Sequence, residues 1–405
     1  MVESVSDPAV PASTGPVVSV PVARVCADLL ELLSGVSDGR SDQGRDHPVS
    51  VVLALAAAAV VAGMSGYTAI TGWVSDVPAA VLADLYSRAG ALPAGPPSKT
   101  TIWRVLTDAD AEAFDAVIGQ WLSGLAGFTT EPAAGDAGDV PGFVQVRLDG
   151  KTIRGAKDAE GNQTHLLAAL VGPDAATSVV AAQTEVGAKT NEVPMAADVL
   201  GQIDLNNKIV TADALHTVKA TAQHIHERGG QFVLPVKENR RALFDALDAL
   251  AWKEVPIAHR DTDQGHGRIT TRTIQVLPAP PNLPFPHVNQ VFLVERYVSN
   301  LRGRPISAVA ALGIASPAPG QTSPADLAGY VREQWSIESL HWIRDTLYHE
   351  DKSQIRTRSG PRIMATLRNL AIGALRLAGR TDITEATRWA ARRMDRPFTI
   401  LGLTP

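Results

Sequence analysis

The segment from Lys208 to Val236 constrains the fold more than any other part of the chain. Lys208 to Ala212 is a short apolar run, His216 to Arg228 carries apolar residues at helical spacing, and Gln231 to Val236 is a second run of strand type. The glycines at 229 and 230 end the helix before the second strand begins. Two strands joined through a helix pair in parallel. The chain is therefore predicted to be an α/β protein.

Composition divides the chain into regions. The early part alternates apolar helical runs with turn signals, and the stretch that follows is rich in Gly, Ala, Pro and Asp, which is typical of a linker. Strand-type runs begin only after that linker. The predicted regions are 1–20 (disordered), 21–125 (a separate helical N-terminal domain), 126–142 (linker), 143–380 (a sheet-containing domain) and 381–405 (a basic C-terminal tail).

The sheet-containing region has three further signals. Phe143 to Leu148 predicts a strand that ends at Asp149. His165 to Val171 and Ser178 to Val186 flank a Gly-Pro-Asp turn, which predicts a hairpin. Short β-like runs with Pro-rich loops predict a β-rich insertion at about 250–315.

The N-terminal region contains the longest apolar run, Val51 to Met64. It is short for a membrane span and predicts a buried helix. Further on, Ser98 is a suitable N-cap for a helix that begins at Lys99. Such a helix, which also carries Arg104, would fit a DNA groove. A plain helical bundle is equally compatible with the composition.

Charge is distributed unevenly. The net charge of −5 argues mildly against a nucleic-acid-binding protein, but residues 352–396 contain eleven basic and only three acidic residues. That balance suits a polyanionic partner, and a solvated helix face is the alternative. The single cysteine, Cys26, cannot form an internal disulfide, and residues 1–20 lack a basic n-region. We therefore expect a cytoplasmic protein without a membrane segment.

Two aspartates stand where predicted strands end. Asp149 follows Phe143 to Leu148, and Asp213 follows Lys208 to Ala212. Carboxylates at strand ends lie at the edge of a sheet, where loops leave room for a substrate. If the two strands are neighbours, both carboxylates can reach one divalent cation, because hard cations such as Mg²⁺ prefer oxygen ligands.

A third carboxylate, Glu338, lies in a long helix predicted to begin after Ser323. Ser323 can cap that helix, with Pro324 in its first turn and Asp326 three residues after the cap. Helical spacing places Glu338 on one stripe with Trp335, His341, Trp342 and Asp345.

This stripe allows more than one interpretation. A partly buried Glu338 needs a cation or an ion pair, so a salt bridge to Arg332 or Arg344 is the alternative to a metal. For Trp335 and Trp342, core packing is favoured over stacking on a base. No cysteine accompanies the histidines and their spacing is loose, so a zinc site is not predicted at His165, His216, His224 and His226.

Four ordered motifs carry a family resemblance. They are Asp149-Gly150-Lys151-Thr152-Ile153-Arg154-Gly155, Lys189-Thr190-Asn191-Glu192, Thr211-Ala212-Asp213-Ala214-Leu215-His216-Thr217 and Trp335-Ser336-Ile337-Glu338-Ser339-Leu340-His341-Trp342. Together they resemble the H-repeat-associated insertion-sequence transposases, a branch of the DDE transposases. Gly63 to Trp73 and Pro97 to Arg104 look like that family's N-terminal associated domain, and Lys237 to Asn239 looks like one of its strand ends. Asp345 departs from the broader family, which has a lysine there.

The resemblance implies an RNase H-like mixed sheet flanked by helices, with the β-rich insertion before the last catalytic helix. It implies cut-and-paste DNA transposition with two Mg²⁺ ions, for which Mn²⁺ can substitute, and it maps the metal-binding acids onto Asp149, Asp213 and Glu338. The expected partners are terminal inverted repeats and target DNA, bound by a homodimer. The expected DNA contacts are Lys99, Arg104, Lys151, Arg154, Lys237, Arg268, Arg332, His341 and Trp342.

Two other functions would use the same residues. A metal-dependent nuclease without strand transfer would need the same three acids. An inactive, transposase-derived protein would bind DNA ends without cutting them, but the presence of all three acids does not favour it.

Overall fold

The computed structural model describes residues 27–42, 45–92, 95–128, 142–187, 191–265 and 267–404. The predicted disordered segment 1–20 lies outside the described residues. So do residues 129–141 of the predicted linker, and Lys189 and Thr190 of the second motif.

The first described part of the chain is helical, as predicted. Its helices are α1 (Leu29–Ser34), α2 (Val49–Val61), α3 (Tyr67–Ser75), α4 (Ala79–Arg88), α5 (Lys99–Asp108) and α6 (Ala111–Ala126). The predicted buried helix is confirmed in α2, whose Ala, Val and Leu side chains present no polar face. The start of α5 is also confirmed, because the amide of Thr101 donates to the hydroxyl of Ser98. Among the described helices, none is long and apolar enough to cross a membrane.

Within the described residues, a nine-stranded mixed sheet lies at the centre of the fold. Its strands are β1 (Val144–Lys157), β2 (Gln163–Gly172), β3 (Val179–Val186), β4 (Lys208–Ala212), β5 (Gln231–Val236), β6 (His259–Gly265), β7 (Arg268–Pro278), β8 (Gln290–Asn300) and β9 (Pro305–Ala315). Their order across the sheet is β3-β2-β1-β4-β5-β9-β8-β7-β6. The predicted hairpin is confirmed in the antiparallel β2–β3 pair, and the predicted crossover in the parallel β4–β5 pair.

The β-rich insertion is confirmed, and it extends the sheet. Strands β6 to β9 form an antiparallel meander whose last strand pairs with β5. In β9, residues before Leu312 are exposed and residues from Leu312 onward are buried. The outer half of the insertion therefore stands away from the core.

Helices cover both faces of the sheet. The remaining helices are α7 (Glu192–Gly201), α8 (Lys219–Glu227), α9 (Arg241–Asp248), α10 (Pro324–Glu333), α11 (Ser336–Thr346), α12 (Gly360–Leu377), α13 (Ile383–Ala391) and α14 (Asp395–Ile400). Alternate residues of β2 face opposite sides: Leu167 packs with α7 and α8, and Leu170 with α6 and α12. The predicted capping box of Ser323 and Asp326 is confirmed. The helix predicted to continue from it is instead divided into α10 and α11 by a turn at residues 334–335.

One hydrophobic core joins the two ends of the described chain. Phe398, Leu401 and Leu403 are buried in the same cluster as Leu53 of α2 and Leu370 of α12. The N-terminal helices and residues 381–405, predicted as a helical domain and a basic tail, therefore share this core. Burial of their apolar side chains requires both segments together.

The basic residues between 352 and 396 do not form one charged surface. Arg368 and Arg376 of α12 are buried, and Arg362 pairs with the buried Asp115 of α6 at 2.6 Å. Counting charges along the chain overestimates the positive surface, because α12 is a core helix. Lys352 and Arg356, which precede α12, are exposed.

Candidate active site

Asp149 and Asp213 are neighbours at the point where two parallel strands part. The ladder between β1 and β4 ends with Leu148 opposite Ala212, and the two aspartates are the next residues. Neighbouring strands lie about 4.8 Å apart, so the two backbones are adjacent there. β1 does not end at Asp149 as predicted; it continues to Lys157 because β2 still pairs with it.

The carboxylate of Asp213 is exposed and turned in part toward its own loop. Its Oδ1 accepts a hydrogen bond from the amide of Leu215 at 2.9 Å, and its carbonyl oxygen accepts one from the amide of His216 at 3.2 Å. Aspartate commonly closes a tight turn in this way. The turn holds Asp213 at the edge of the sheet.

Gln334 ties the region of the third acid to the two aspartate strands. Its amide nitrogen donates to the carbonyl of Leu148 at 3.2 Å, and its Oε1 accepts from the hydroxyl of Thr211. These partners lie within two residues of Asp149 and Asp213. The turn between α10 and α11 is therefore fixed at the sheet edge.

Two buried side chains of β1 reinforce this attachment. Gln145 Nε2 donates to the hydroxyl of Thr211 and to the carbonyl of Tyr330, each at 2.8 Å. Arg147 Nε donates to the carbonyl of Glu333 at 2.8 Å. The end of α10 is thereby held by β1 through several hydrogen bonds, and α11 starts from a fixed point.

Glu338 is exposed in the first turn of α11, where unsatisfied backbone N–H groups favour a carboxylate. The predicted alternative, a salt bridge to Arg332 or Arg344, is wrong. Arg332 pairs with Asp261 at 3.0 Å, and Arg344 pairs with Glu350 at 2.8 Å. Within the described part of the chain, Glu338 has no ion-pair partner.

The surroundings of Asp149 shift the pKa of its carboxyl strongly. Burial raises the pKa of its carboxyl to about 7; the amide of Gly150 lowers that pKa, and the carboxylates of Glu192, Asp213 and Glu338 raise it. Because three other carboxylates raise the pKa of Asp149, each of them lies close enough to repel its negative charge. A cation placed among them would offset their repulsion and favour the ionised form of Asp149.

The donor set fits a hard divalent cation in its chemistry. Carboxylate oxygens are the ligands that Mg²⁺ prefers. In their observed rotamers, however, no three His, Cys, Asp or Glu side chains of the described residues form a group ready to hold a metal ion. The carboxylate of Asp213 instead accepts a hydrogen bond within its own loop. Rotation of exposed side chains is needed to bring the three acids to one cation.

His341 and Lys151, predicted as DNA contacts, are held inside the fold. The Nδ1 atom of His341 lies 3.5 Å from Oδ2 of Asp149, and burial lowers the pKa of His341 to about 3. The ring is therefore neutral, and this contact is not an ion pair. Lys151 is buried with its Nζ 2.7 Å from Asp345. It pairs with the acid that stands where the broader family has a lysine.

Both tryptophans of the α11 stripe are exposed. Trp342 is 66% exposed and Trp335 is 59% exposed, so the prediction that they pack in the core is wrong. Trp335 lies in the turn that divides α10 from α11, whereas Trp342 lies within α11. Trp335 instead lies 5.9 Å from the guanidinium of Arg296, on the insertion.

The remaining predicted DNA contacts are on the surface but do not converge on one place. Arg268 begins β7 at the outer end of the insertion, opposite Asn300, whereas Lys99 begins α5 in the N-terminal region. Arg154 lies 3.4 Å from Asp351. The exposed residues of this set are Lys99, Arg104, Arg154, Lys237, Arg268 and Arg332.

Glu192 and Gln334 are site residues that the sequence alone does not identify. Glu192 accepts hydrogen bonds from His165 at 2.7 Å and from His216 at 3.3 Å. Both histidines are therefore hydrogen-bond donors to a carboxylate. The motif that ends at Glu192 is the only sequence signal for it. Gln334 has no such sequence signal, because a glutamine in a helical segment does not stand out from its neighbours.

Comparison with known proteins identifies the family. The family model "Transposase DDE domain" matches residues 144–373, and "DDE_Tnp_1-associated" matches residues 30–122. The chain is 25% identical to the "H repeat-associated putative transposase YhhI" of Escherichia coli (strain K12), over 86% of this chain and 90% of that protein. It is 31% identical to the "Uncharacterized protein in dhlA 3'region" of Xanthobacter autotrophicus, over 58% of this chain and 76% of that protein.

A looser structural likeness is to the piggyBac transposase in its synaptic complex with hairpin DNA. It has a TM-score of 0.41 and 11% identity, and covers 87% of this chain and 72% of that one. The family model spans more than half of the chain and contains all three acids. The chain therefore belongs to the DDE transposase family.

Proposed function

We propose that the chain cuts and joins DNA at the ends of a bacterial insertion sequence, acting as a homodimer in the cytoplasm. The observation that carries this proposal is the position of Asp149 and Asp213 at the end of the parallel β1–β4 ladder. Glu338, close enough to raise the pKa of Asp149, completes the set. Membership of the DDE family supports the same reaction.

In this proposal Asp149, Asp213 and Glu338 would together hold two Mg²⁺ or Mn²⁺ ions through their carboxylate oxygens. When bound, such ions lower the pKa of an attacking water or 3′-hydroxyl and stabilise the charge of a leaving 3′-oxygen. The protein itself supplies alignment, on which phosphoryl transfer strongly depends. Gln334 keeps α11 at the strand ends, and neutral His341 covers one side of Asp149.

Trp342 is the residue of the stripe best placed to meet DNA. It follows Glu338 by one helical turn, and its ring is largely exposed. Aromatic faces stack on unpaired bases with little dependence on sequence. We propose that Trp342 supports a base next to the cleaved bond.

A basic groove between the N-terminal helices and the turn after α11 offers a path for the DNA backbone. It has a volume of about 600 Å³, and its lining includes Lys99, Trp103, His349, Lys352 and Arg356. Neighbouring residues link it to the active-site strand: Asp351 faces Lys151 of β1, while the adjacent Lys352 lines the groove. DNA leaving the active site can therefore pass directly over this turn.

Removing two groove cations together, Lys352→Ala with Arg356→Ala, is expected to weaken DNA binding in a salt-dependent way. Each lost phosphate contact lowers the slope of log affinity against log salt by about one. Fluorescence anisotropy with a labelled duplex at several salt concentrations measures that slope. Single-turnover cleavage at saturating DNA should stay as in the wild type.

The matched control is Lys253→Ala, which removes an exposed cation outside the groove. It should leave the slope unchanged. An unchanged slope in the double variant as well would exclude the groove as a DNA path.

The proposed reaction is tested with duplexes that carry the element's terminal repeats. With Mg²⁺ we expect cleavage to 3′-hydroxyl ends and joining of those ends to a second duplex; chelation should stop both, and Mn²⁺ should restore them. Cleavage without joining of pre-cut ends would indicate a nuclease instead. Binding without cleavage would indicate an inactive end-binding protein, and either result would overturn the proposal.

A further inference from the structure

Glu192, the first residue of α7, connects three chain segments beside the active site. Its Oε1 accepts a hydrogen bond from Nε2 of His165 on β2 at 2.7 Å. Its Oε2 accepts one from Nε2 of His216, after β4, at 3.3 Å. His165 is itself held through Nδ1 by the hydroxyl of Thr152 on β1, at 2.7 Å.

Two residues in these contacts lie close to the aspartates in sequence. Thr152 is three residues after Asp149, and His216 is three residues after Asp213. Thr152 follows Asp149 on β1, and His216 closes the turn that Asp213 opens. His216 is 1% exposed, so it cannot move without disturbing its surroundings. The carboxylate of Glu192 thus fixes the two strand ends relative to each other.

The carboxylate of Glu192 also packs directly on the backbone next to Asp149. A Cβ added at Gly150 would lie 2.4 to 2.7 Å from the carboxylate atoms of Glu192. Gly150 is not among the glycines with positive φ. Space for Glu192, rather than backbone conformation, is therefore what requires glycine at this position.

The charge of Glu192 is permanent under ordinary conditions. Hydrogen bonds from His165 and His216 lower its pKa to about 2. Glu192 is thus a fixed negative charge beside the proposed cation site.

We propose that Glu192 is a positioning residue of the active centre, which orients Asp149 and Asp213 and strengthens divalent cation binding without being one of the three ligands. This inference rests on the proposed function. Outer carboxylates that orient metal ligands typically contribute 10- to 100-fold to metal affinity.

The test is Mn²⁺ binding by the full chain without DNA, measured from the electron paramagnetic resonance signal of free Mn²⁺. Glu192→Gln keeps the size of the side chain and removes its charge, so we expect roughly 10- to 100-fold weaker binding with a nearly unchanged melting temperature. The control is Glu185→Gln, which removes an exposed charge from β3 and should bind as the wild type. Wild-type affinity in Glu192→Gln would overturn the inference.

A second pair of variants tests the contact even if Glu192→Gln folds poorly. Gly150→Ala should weaken Mn²⁺ binding in the wild-type background, because its methyl group displaces the carboxylate of Glu192. In a Glu192→Ala background it should add almost nothing, since the space is then empty. An equal loss of Mn²⁺ affinity in both backgrounds would contradict the proposed contact between Glu192 and Gly150.

Mn²⁺ binding by Asp149→Asn separates failure of the proposed function from failure of the role of Glu192 alone. If Asp149→Asn binds Mn²⁺ as tightly as the wild type, the proposed function itself fails. If Asp149→Asn loses Mn²⁺ and Glu192→Gln does not, only the role of Glu192 is lost.

Discussion

Asp149→Asn is expected to abolish DNA strand cleavage, with a rate at least about 10³-fold below that of the wild type. Asp149 would be one of the three ligands of the proposed cations, and the substitution removes its negative charge. The groove contacts are untouched, and DNA binding should persist. Cleavage in single turnover and binding by anisotropy, measured on the same preparation, separate the two effects.

The stability of this variant shows whether lost cleavage comes from misfolding. Burial raises the pKa of Asp149 to about 7, from 3.8. Ionising it in the fold therefore lowers stability by an amount that is absent below about pH 4 and grows as the pH rises to about 7. Without cations, Asp149→Asn should melt at a higher temperature than the wild type at pH 8, and the difference should shrink toward pH 4.

Cations should reverse this order, because they stabilise only a protein that binds them. Mg²⁺ should raise the melting temperature of the wild type but not that of Asp149→Asn. The matched control is Asp198→Asn, an exposed position on α7, which should cleave normally. Near-wild-type cleavage by Asp149→Asn would remove this residue from the mechanism.

Glu350→Gln is expected to produce the largest loss of stability, about 3–5 kcal/mol in the free energy of unfolding. Glu350 is fully buried in the 3₁₀ turn Glu350–Lys352. Its carboxylate accepts hydrogen bonds from Arg344 of α11 at 2.8 and 2.9 Å, and from Arg368 of α12 at 2.8 Å. A neutral amide leaves two buried guanidinium groups without a counter-charge.

Urea denaturation measures this loss. The control is Glu385→Gln, whose partner Arg380 lies 3.7 Å away at the surface, where such pairs contribute at most about 1 kcal/mol. Equal losses of unfolding free energy in the two variants would show that the buried network contributes no more to stability than a surface ion pair.

Acid should weaken the same network. Burial raises the pKa of Glu350, but Arg344 and Arg368 outweigh burial and lower that pKa to about 2, from 4.5. The stabilisation is therefore complete above about pH 4.5 and lost as the pH falls toward 2.

Local pattern was sufficient to predict much of the fold. The Lys208–Val236 segment predicts a parallel pair because its periodicity changes from strand to helix and back, and β4 and β5 do pair in parallel. Ser98 and the Ser323–Asp326 pair predict helix starts because capping depends on neighbours three residues apart, and both are confirmed.

Features that depend on distant contacts could not be predicted. Nothing in the sequence indicates that Gln334 binds the carbonyl of Leu148, 186 residues away, so the sequence does not predict the division between α10 and α11. The sequence predicts Arg368 as surface charge, because its partner Glu350 is identified only by the packing of α12.

In the candidate site, too, the sequence identifies only the residues that their local pattern marks. Asp149 and Asp213 are conspicuous because each follows an apolar strand run. Glu192 lies outside any strand, and its role depends on His165 and His216, which come together only in three dimensions.

The most direct measurement is the anomalous X-ray signal of Mn²⁺ soaked into crystals of the wild-type chain. We predict signal between the carboxylates of Asp149 and Asp213, with Glu338 turned inward and metal–oxygen distances of about 2.1 Å. Mn²⁺ bound elsewhere, or bound at the two aspartates with Glu338 still directed to solvent, would contradict the convergence of these three acids on one centre.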